Sequence, residues 1–142
     1  MGAPEGELYD WVQRGTALLE SGDSGAAVEL LTWALREEPG AASIRESLAR
    51  ALFDSRRFEE AAAEFERLTE IAPDDDYAKF GFGLALWRLR QFPRARDQLA
   101  MAAAMRPDRA EYSRALAQVR ATLAAREEAG LPPVGQPGEG LA

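Results

Sequence analysis

The side chains that could do acid–base chemistry or bind a metal are three consecutive aspartates and two pairs of adjacent glutamates: Asp74–Asp76, Glu37 with Glu38, and Glu59 with Glu60. Neighbouring residues of a helix point about 100° apart, so neither glutamate pair can act on one reacting atom. Aspartates ahead of a helix are favoured by capping and by the helix dipole. We therefore interpret the three aspartates as a helix start and not as a metal site.

Two residue types that carry much of protein chemistry are missing from this sequence. The chain contains no Cys and no His, which excludes disulfides, a thiolate nucleophile, the commonest general base and the commonest zinc ligand. A glycine-rich phosphate loop is not predicted either, because Gly81-Phe82-Gly83 lies within a helical pattern and follows no strand. The sequence predicts no enzyme activity, no cofactor and no bound metal.

The composition indicates which elements must position the remaining polar and aromatic side chains. Hydrophobic residues make up 46% of the 142 residues, and 28 of the residues are Ala. Ala has the highest helix propensity and allows helices to approach closely, whereas the β-branched Val and Ile that favour strands are few. The expected class is all-α.

Apolar residues recur at helical spacing in seven segments, with turn residues between them. The predicted helices cover residues 7–21, 24–38, 42–54, 58–71, 77–89, 93–105 and 109–129. Gly22 suits the left-handed position after the first helix, and Gly130 suits the end of the seventh. Asp108, with Glu111 three residues later, is predicted to form an N-terminal capping box for that last helix.

The turn and small residues of these helices recur with a fixed period. Prolines lie at positions 39, 73 and 107 and alanines at positions 27, 61 and 95, each set spaced by 34 residues. Such a period indicates a solenoid of repeated helix pairs. One pair cannot bury its own apolar side, so three stacked pairs and a capping helix are close to the minimum for stability.

Several positions recur together within each 34-residue segment, and in this combination the chain resembles the tetratricopeptide repeat family. The matching residues are Trp11, Gly15, Leu18, Ala27, Leu31, Ala34 and Pro39 in the first segment; Leu48, Ala49, Leu52, Ala61, Phe65 and Pro73 in the second; and Phe82, Gly83, Leu86, Ala95, Leu99, Ala102 and Pro107 in the third. The resemblance implies a right-handed solenoid of three helix-turn-helix repeats followed by a seventh, capping helix.

The domain organisation predicted in this way has six parts: a flexible N-terminus, 1–7; the three repeats, 8–41, 42–75 and 76–109; a capping helix, 110–130; and a disordered tail, 131–142. The tail is rich in Pro and Gly. Some residues depart from the family pattern. Arg14 replaces an apolar residue, Arg45 and Lys79 replace an aromatic one, and Leu68 replaces Ala. Arg14 indicates either that the N-terminal end packs loosely or that the stem of Arg14 lies along the edge of the core with its charge in water.

The resemblance also implies a function and the residues that carry it. In the family, the first helix of each repeat lines a concave groove that binds a peptide or helix of another protein. The residues carried over as partner-binding are Tyr9, Val12, Glu46, Arg50, Phe53, Tyr77, Phe80, Leu84, Trp87 and Arg88. Repeats that clamp a peptide carboxylate resemble one another in a Lys and an Asn where this chain has Val12 and Thr16, so that role is not predicted.

The first helix of the third repeat is predicted to be apolar on two faces. Phe82, Gly83 and Leu86 face the core, while Phe80, Leu84 and Trp87 form a second stripe. A helix that is apolar on two faces must bury both of them. The second face is covered by the seventh helix, binds a partner, or forms a homodimer, and the sequence leaves these three alternatives open.

Charge and hydropathy limit the partners further. The net charge is −7, which disfavours nucleic acid, and no apolar run is long enough to span a membrane. No secretory signal is visible, so we expect a soluble, cytoplasmic protein. Residues 8–41 and 42–75 each carry −4, whereas residues 76–109 carry +4. This asymmetry indicates solvated helix faces, head-to-tail contacts, or a partner of matching charge asymmetry.

Overall fold

The computed structural model describes residues 2–134, and within them the chain forms seven α-helices and no strand. The predicted all-α fold is therefore confirmed, and the predicted helix ends agree with the observed ones to within one residue. The helices are α1 (Leu8–Glu20), α2 (Ser24–Glu37), α3 (Ala42–Asp54), α4 (Phe58–Ile71), α5 (Asp76–Arg88), α6 (Phe92–Met105) and α7 (Ala110–Glu128).

The chain divides into two compact units. The first unit ends at Asp74 and contains α1 to α4; the second begins at Asp75 and contains α5 to α7. In the first unit α1 packs on α2, α2 on α3, and α3 on α4. In the second unit α5 packs on α6, and α6 packs on α7. Within each unit, every helix is therefore stabilised by the helices that adjoin it in sequence, as expected for a repeat protein.

Helices α1, α3, α5 and α7 all end in the same type of turn. After α1, the N–H of Gly22 donates to Leu19 O and the N–H of Asp23 donates to Leu18 O, at 3.2 and 2.8 Å. This pair of bonds is a Schellman motif, whose central residue must adopt a left-handed conformation. The central residues are Gly22 (φ +90°), Arg56 (φ +63°), Arg90 (φ +63°) and Gly130 (φ +72°).

A buried glycine permits a close helix crossing in each unit. A Cβ atom added to Gly15 would lie 2.8 Å from Leu31 Cγ, and one added to Gly83 would lie 2.7 Å from Leu99 Cγ. Both leucines are completely buried, which stabilises the fold by about 1.5–3 kcal/mol each. The small residue that the repeat pattern requires at this position is thus required by contact with the second helix of the same repeat.

The departure from the family pattern at Arg45 has a structural reason. In the first repeat, Trp11 packs in the core with Leu30. Arg45 and Glu64 occupy the same places one repeat later, and Arg45 Nη1 donates to Glu64 Oε2 at 2.6 Å. Arg45 Nη2 also donates to Pro39 O, at 3.0 Å. An apolar pair in the first repeat is therefore replaced by a hydrogen-bonded ion pair in the second.

The two ends of the described chain are held by arginines. The carbonyl oxygen of Glu5 accepts hydrogen bonds from Arg14 Nη1 at 3.0 Å and from Trp11 Nε1 at 3.1 Å. Arg14 is exposed, as expected if its charge lies in water. At the other end, buried Arg126 donates from Nε to Pro132 O at 2.6 Å and from Nη2 to Val134 O at 3.2 Å. Residues 135–142, most of the predicted tail, lie outside the described residues.

The predicted capping box of α7 is wrong. The residue before the helix is Arg109, whose side chain forms no capping hydrogen bond. Asp108 instead accepts from Arg106, whose Nε and Nη2 donate at 3.0 and 2.9 Å. The hydrogen bond from Arg106 lowers the pKa of the Asp108 carboxyl below its ordinary value. A guanidinium two residues away thus competes successfully with the backbone N–H groups of the helix.

Candidate partner-binding surfaces

In the first unit, the predicted binding residues differ in how much of each is exposed. Tyr9 is 70% exposed, and its hydroxyl accepts a hydrogen bond from Gln13 Nε2 at 2.8 Å. Val12 packs against the core cluster around Trp11 and is half-buried. Glu46 is half-buried and Arg50 is exposed. Tyr9 is therefore the large apolar side chain of this set that reaches furthest into solvent.

The aromatic residue predicted on α3 belongs to a small ring cluster at the turn between α3 and α4. Phe53 is half-buried, and its ring lies edge-on to that of Phe58, with centroids 5.1 Å apart. The guanidinium of Arg56 lies 5.7 Å from the Phe58 centroid, within the range of a cation–π contact. The left-handed turn at Arg56 places this charge over the ring.

In the second unit, α7 covers the beginning of the second apolar face of α5. The ring of Phe80 stacks on that of Tyr112, with centroids 4.5 Å apart, and Tyr77 lies 6.4 Å from Phe80. Tyr112 is 1% exposed, and its hydroxyl donates to Asp76 Oδ2 at 2.6 Å. The alternative in which the seventh helix takes this face therefore holds for Phe80.

The environment of Tyr112 changes its acid–base behaviour. Burial away from water raises the pKa of the phenol well above its ordinary value, and the hydrogen bond to Asp76 raises it further. The hydroxyl therefore stays protonated, and remains a donor to the carboxylate, above the pH at which an ordinary tyrosine ionises. The arrangement joins the start of α7 to the start of α5.

The end of α5 is packed differently from its beginning. Leu84 and Trp87 are half-buried, and Arg88 beside them is exposed. The indole of Trp87 lies 5.2 Å from the ring of Phe92, which is 4% exposed. The guanidinium groups of Arg90 and Arg126 lie 5.4 and 5.5 Å from the Phe92 centroid. Leu84 and Trp87 thus retain accessible apolar surface next to a positive charge.

The sequence analysis missed the aromatic partners of the predicted residues. Phe58 and Phe92 are 34 residues apart and each follows a predicted binding residue, Phe53 or Trp87, by five positions. That repetition was a usable signal. No such repetition indicated the stacking of Phe80 on Tyr112, because these residues belong to α5 and α7, which are separated in the sequence by α6. Of the second-unit set, the structure brings Tyr77 and Phe80 together, whereas Trp87 packs on Phe92.

The described part of the chain contains neither a candidate metal-binding cluster nor a helix able to span a membrane. Residues 2–134 contain no group of three acidic side chains that could hold a metal ion. None of the helices in this range combines the length and the apolar character that crossing a bilayer requires. What the arrangement offers is apolar and aromatic surface bordered by arginines, which is a binding chemistry.

Comparison with known families identifies the class of the protein. Two family models, both described as "Tetratricopeptide repeat", match residues 12–76 and residues 56–119. The chain therefore belongs to the tetratricopeptide repeat (TPR) family. No curated protein sequence matches it.

Solved structures share the fold at low sequence identity. The first TPR domain of Spaghetti (RPAP3), bound to the HSP90 peptide SRMEEVD, is 16% identical with a TM-score of 0.78; the match covers 86% of this chain and 97% of that one. MamA MSR-1 is 22% identical with a TM-score of 0.78, covering 91% and 74%. The TPR2B domain of yeast Sti1, in a complex with an Hsp70 peptide, is 18% identical with a TM-score of 0.74, covering 81% and 97%.

Proposed function

We propose that this chain is a non-catalytic module that binds a peptide or helix of another protein, with Leu84 and Trp87 of α5 as its main anchors. The observation that carries the proposal is the incomplete burial of these two side chains. Phe80 on the same helix face is stacked on Tyr112, whereas Leu84 and Trp87 remain half-buried in the chain alone.

The residue types at this surface are those that stabilise protein–protein contacts. Aromatic residues and Arg are enriched at the centre of interfaces. Trp is also enriched among the residues whose replacement by Ala weakens binding most. Arg88 follows Trp87 in the chain and is exposed, so a positive charge lies beside the anchors. Two of the structural neighbours were solved with peptides bound, which supports peptide binding as the kind of activity.

The test is capture of a partner by immobilised protein from the native source, with the captured proteins identified by mass spectrometry. Trp87→Ala should reduce capture at least tenfold, because a buried interface anchor contributes about 2 kcal/mol or more. Met101→Ala, at an exposed position of α6, is the matched control. Helical circular dichroism must be equal for all three proteins, and equal capture by Trp87→Ala would overturn the assignment of this surface.

The second candidate is self-association through the same residues, because an accessible apolar pair next to an arginine also suits a symmetric contact. Light scattering over a concentration series distinguishes the two functions. A mass of 15.5 kDa at every concentration excludes the homodimer, and a mass of twice that value which Trp87→Ala returns to the monomer supports it. The cytoplasmic location and the absence of a nucleic-acid partner stay predictions.

A further inference from the structure

The outward face of α2 carries a pair of side chains that the repeat architecture does not require. Trp33 and Arg36 occupy positions that α4 fills with Arg67 and Glu70, one repeat later, and that α6 fills with Met101 and Ala104. The same helix packing is therefore achieved without an aromatic–cation pair in the other two repeats. Trp33 packs with one side on the core cluster, its centroid 6.3 Å from that of Trp11, while Arg36 beside it is exposed. The accessible part of this pair is a candidate for binding.

These two side chains line a cleft within the first unit. Its volume is about 360 Å³, close to the lower end of the range of about 300–1,000 Å³ typical of ligand sites. Gly25 and Val28 of α2 also line it, as does Arg57, the residue before α4. A Cβ atom added to Gly25 would meet no atom within 4 Å, so space is open there.

The guanidinium groups of Arg36 and Arg57 can both donate hydrogen bonds to a ligand in the cleft. That of Arg36 lies 4.7 Å from the ring centroid of Trp33, and no carboxylate of residues 2–134 forms an ion pair with it. Arg57 donates from Nε and Nη2 to the two carboxylate oxygens of Glu60, at 2.8 and 2.7 Å. These bonds fix the orientation of the guanidinium, and its Nη1 group remains available to donate to a ligand.

Glu29 limits the charge of the ligand. Its exposed side chain also lines the cleft, so it opposes the binding of any anion, and it opposes a ligand with two adjacent negative charges most. A single carboxylate can accept from Arg36 and Arg57 while its flanking backbone lies along the face of α2. Because guanidinium groups donate charge-assisted hydrogen bonds in a fixed planar array, a carboxylate fits them better than a neutral amide does.

We propose that the cleft between Trp33, Arg36 and Arg57 is a second binding site, which takes an isolated glutamate or aspartate side chain within an extended segment of a partner protein. The site is separate from the α5 surface, and it needs no residue of that surface. It gives the module a contact on the face of α2, with a preference for one acidic side chain among neutral neighbours.

The probe is the peptide acetyl-alanyl-glutamyl-alanine amide, titrated into the ¹⁵N-labelled full chain. The reporter is the indole N–H signal of Trp33, identified by its loss in Trp33→Phe. We expect a saturable shift, and we expect Arg36→Gln to weaken the binding about tenfold or more. Glu29→Gln should strengthen it. Arg67→Gln on α4 is the matched control, since Arg67 is exposed and pairs with Glu70 outside the cleft.

Three results would overturn the proposal. They are no shift with the glutamyl peptide, an equal affinity for the glutaminyl peptide, or an equal affinity for acetate or phosphate alone, which would make the cleft a site for free anions. Trp87→Ala must leave the titration unchanged, so failure here and failure of the α5 surface are distinguishable. Arg36→Gln lies on the helix surface, and circular dichroism checks that its fold is intact.

Discussion

The two compact units use one packing scheme and expose different surfaces. Each has a glycine that meets a buried leucine, Gly15 with Leu31 and Gly83 with Leu99, at nearly the same distance. Their charges differ, because residues 1–74 carry 7 basic and 16 acidic side chains, a net charge of −9, whereas residues 75–142 carry 10 basic and 8 acidic ones, a net charge of +2. The helix contacts are repeated, and the surface chemistry is not.

The same contrast holds for the aromatic clusters at the turns. Phe53 and Phe58 in the first unit correspond to Trp87 and Phe92 in the second, and in both an arginine of the left-handed turn lies over the second ring. In the second unit a following helix adds another guanidinium to the cluster, that of Arg126. The turn geometry and the ring pair are repeated in the two units, whereas the identity of the first ring and the added guanidinium differ.

The largest effect is expected from adding a side chain at Gly15 or Gly83, where no room is available for one. Gly83→Val should lower the free energy of unfolding by about 3 kcal/mol, because the new side chain meets both Leu99 and the carbonyl oxygen of Ala95. Gly15→Val, which meets only the side chain of Leu31, should cost about 2 kcal/mol. Urea unfolding measures both values.

Gly25→Ala is the control for these two variants, since its Cβ would lie in open space. Alanine has the higher helix propensity, so this change should stabilise the protein by up to about 1 kcal/mol. If Gly83→Val unfolds at the same urea concentration as the parent protein, the close crossing of α5 and α6 is contradicted.

A smaller loss is expected where α7 joins α5. Tyr112→Phe keeps the ring that stacks on Phe80 and removes the hydroxyl that donates to Asp76. The free energy of unfolding should fall by about 2 kcal/mol, as for other hydrogen bonds to charged groups. Tyr9→Phe, at an exposed hydroxyl, should change it by less than about 0.5 kcal/mol. Equal effects of the two variants would show that the bond to Asp76 contributes nothing.

The same tyrosine makes stability depend on alkaline pH. Because burial and Asp76 raise the pKa of Tyr112 in the folded state, its contribution is complete below the unfolded tyrosine pKa of about 10 and is lost as the pH rises above that value. Urea midpoints of the parent protein should therefore fall more steeply between pH 9 and 11 than those of Tyr112→Phe. Comparing the parent protein with Tyr112→Phe isolates the contribution of this one residue. Parallel curves would contradict the raised pKa.

The smallest effect is expected at the left-handed arginines. Arg56→Gly relieves a left-handed backbone conformation that costs a residue with a side chain about 1–2 kcal/mol. About 0.5–1 kcal/mol of this gain is lost again, because the unfolded chain has more conformational entropy with glycine. The net gain in stability should be about 0.5 kcal/mol. Arg90→Gly should gain less, because its guanidinium lies over the buried ring of Phe92. A destabilised Arg56→Gly would show that the Phe58 contact outweighs the strain.

Local patterns in the sequence were sufficient to predict the helices and not their surroundings. Periodic apolar residues with Gly22, Pro39 and their equivalents placed every helix end within one residue. The predicted capping box at Asp108 was wrong because Arg106 competes for its carboxylate. A capping pattern does not take account of an arginine two residues earlier in the chain. The left-handed turns at Arg56 and Arg90 were equally hidden, since Arg carries no preference for that conformation.

Of the candidate surfaces, the sequence could indicate a set of residues and not their exposure. Whether Phe80 is free to bind depends on Tyr112, a residue 32 positions later, and on the hydrogen bond that holds Tyr112 to Asp76. The cleft on α2 was missed because Trp33 and Arg36 lie on the second helix of a repeat, whereas the family resemblance directs attention to the first.

The first residue of α7 has a consequence for how such a protein can change in length. Leu8, Ala42, Asp76 and Ala110, the first residues of α1, α3, α5 and α7, are spaced by 34 residues throughout. The last helix therefore begins in the register of a further repeat. Inserting a copy of residues 76–109 before Ala110 would give every helix a neighbour of the kind it already has. Duplication of one 34-residue segment in the gene would therefore lengthen the protein by one repeat without requiring a new kind of helix contact.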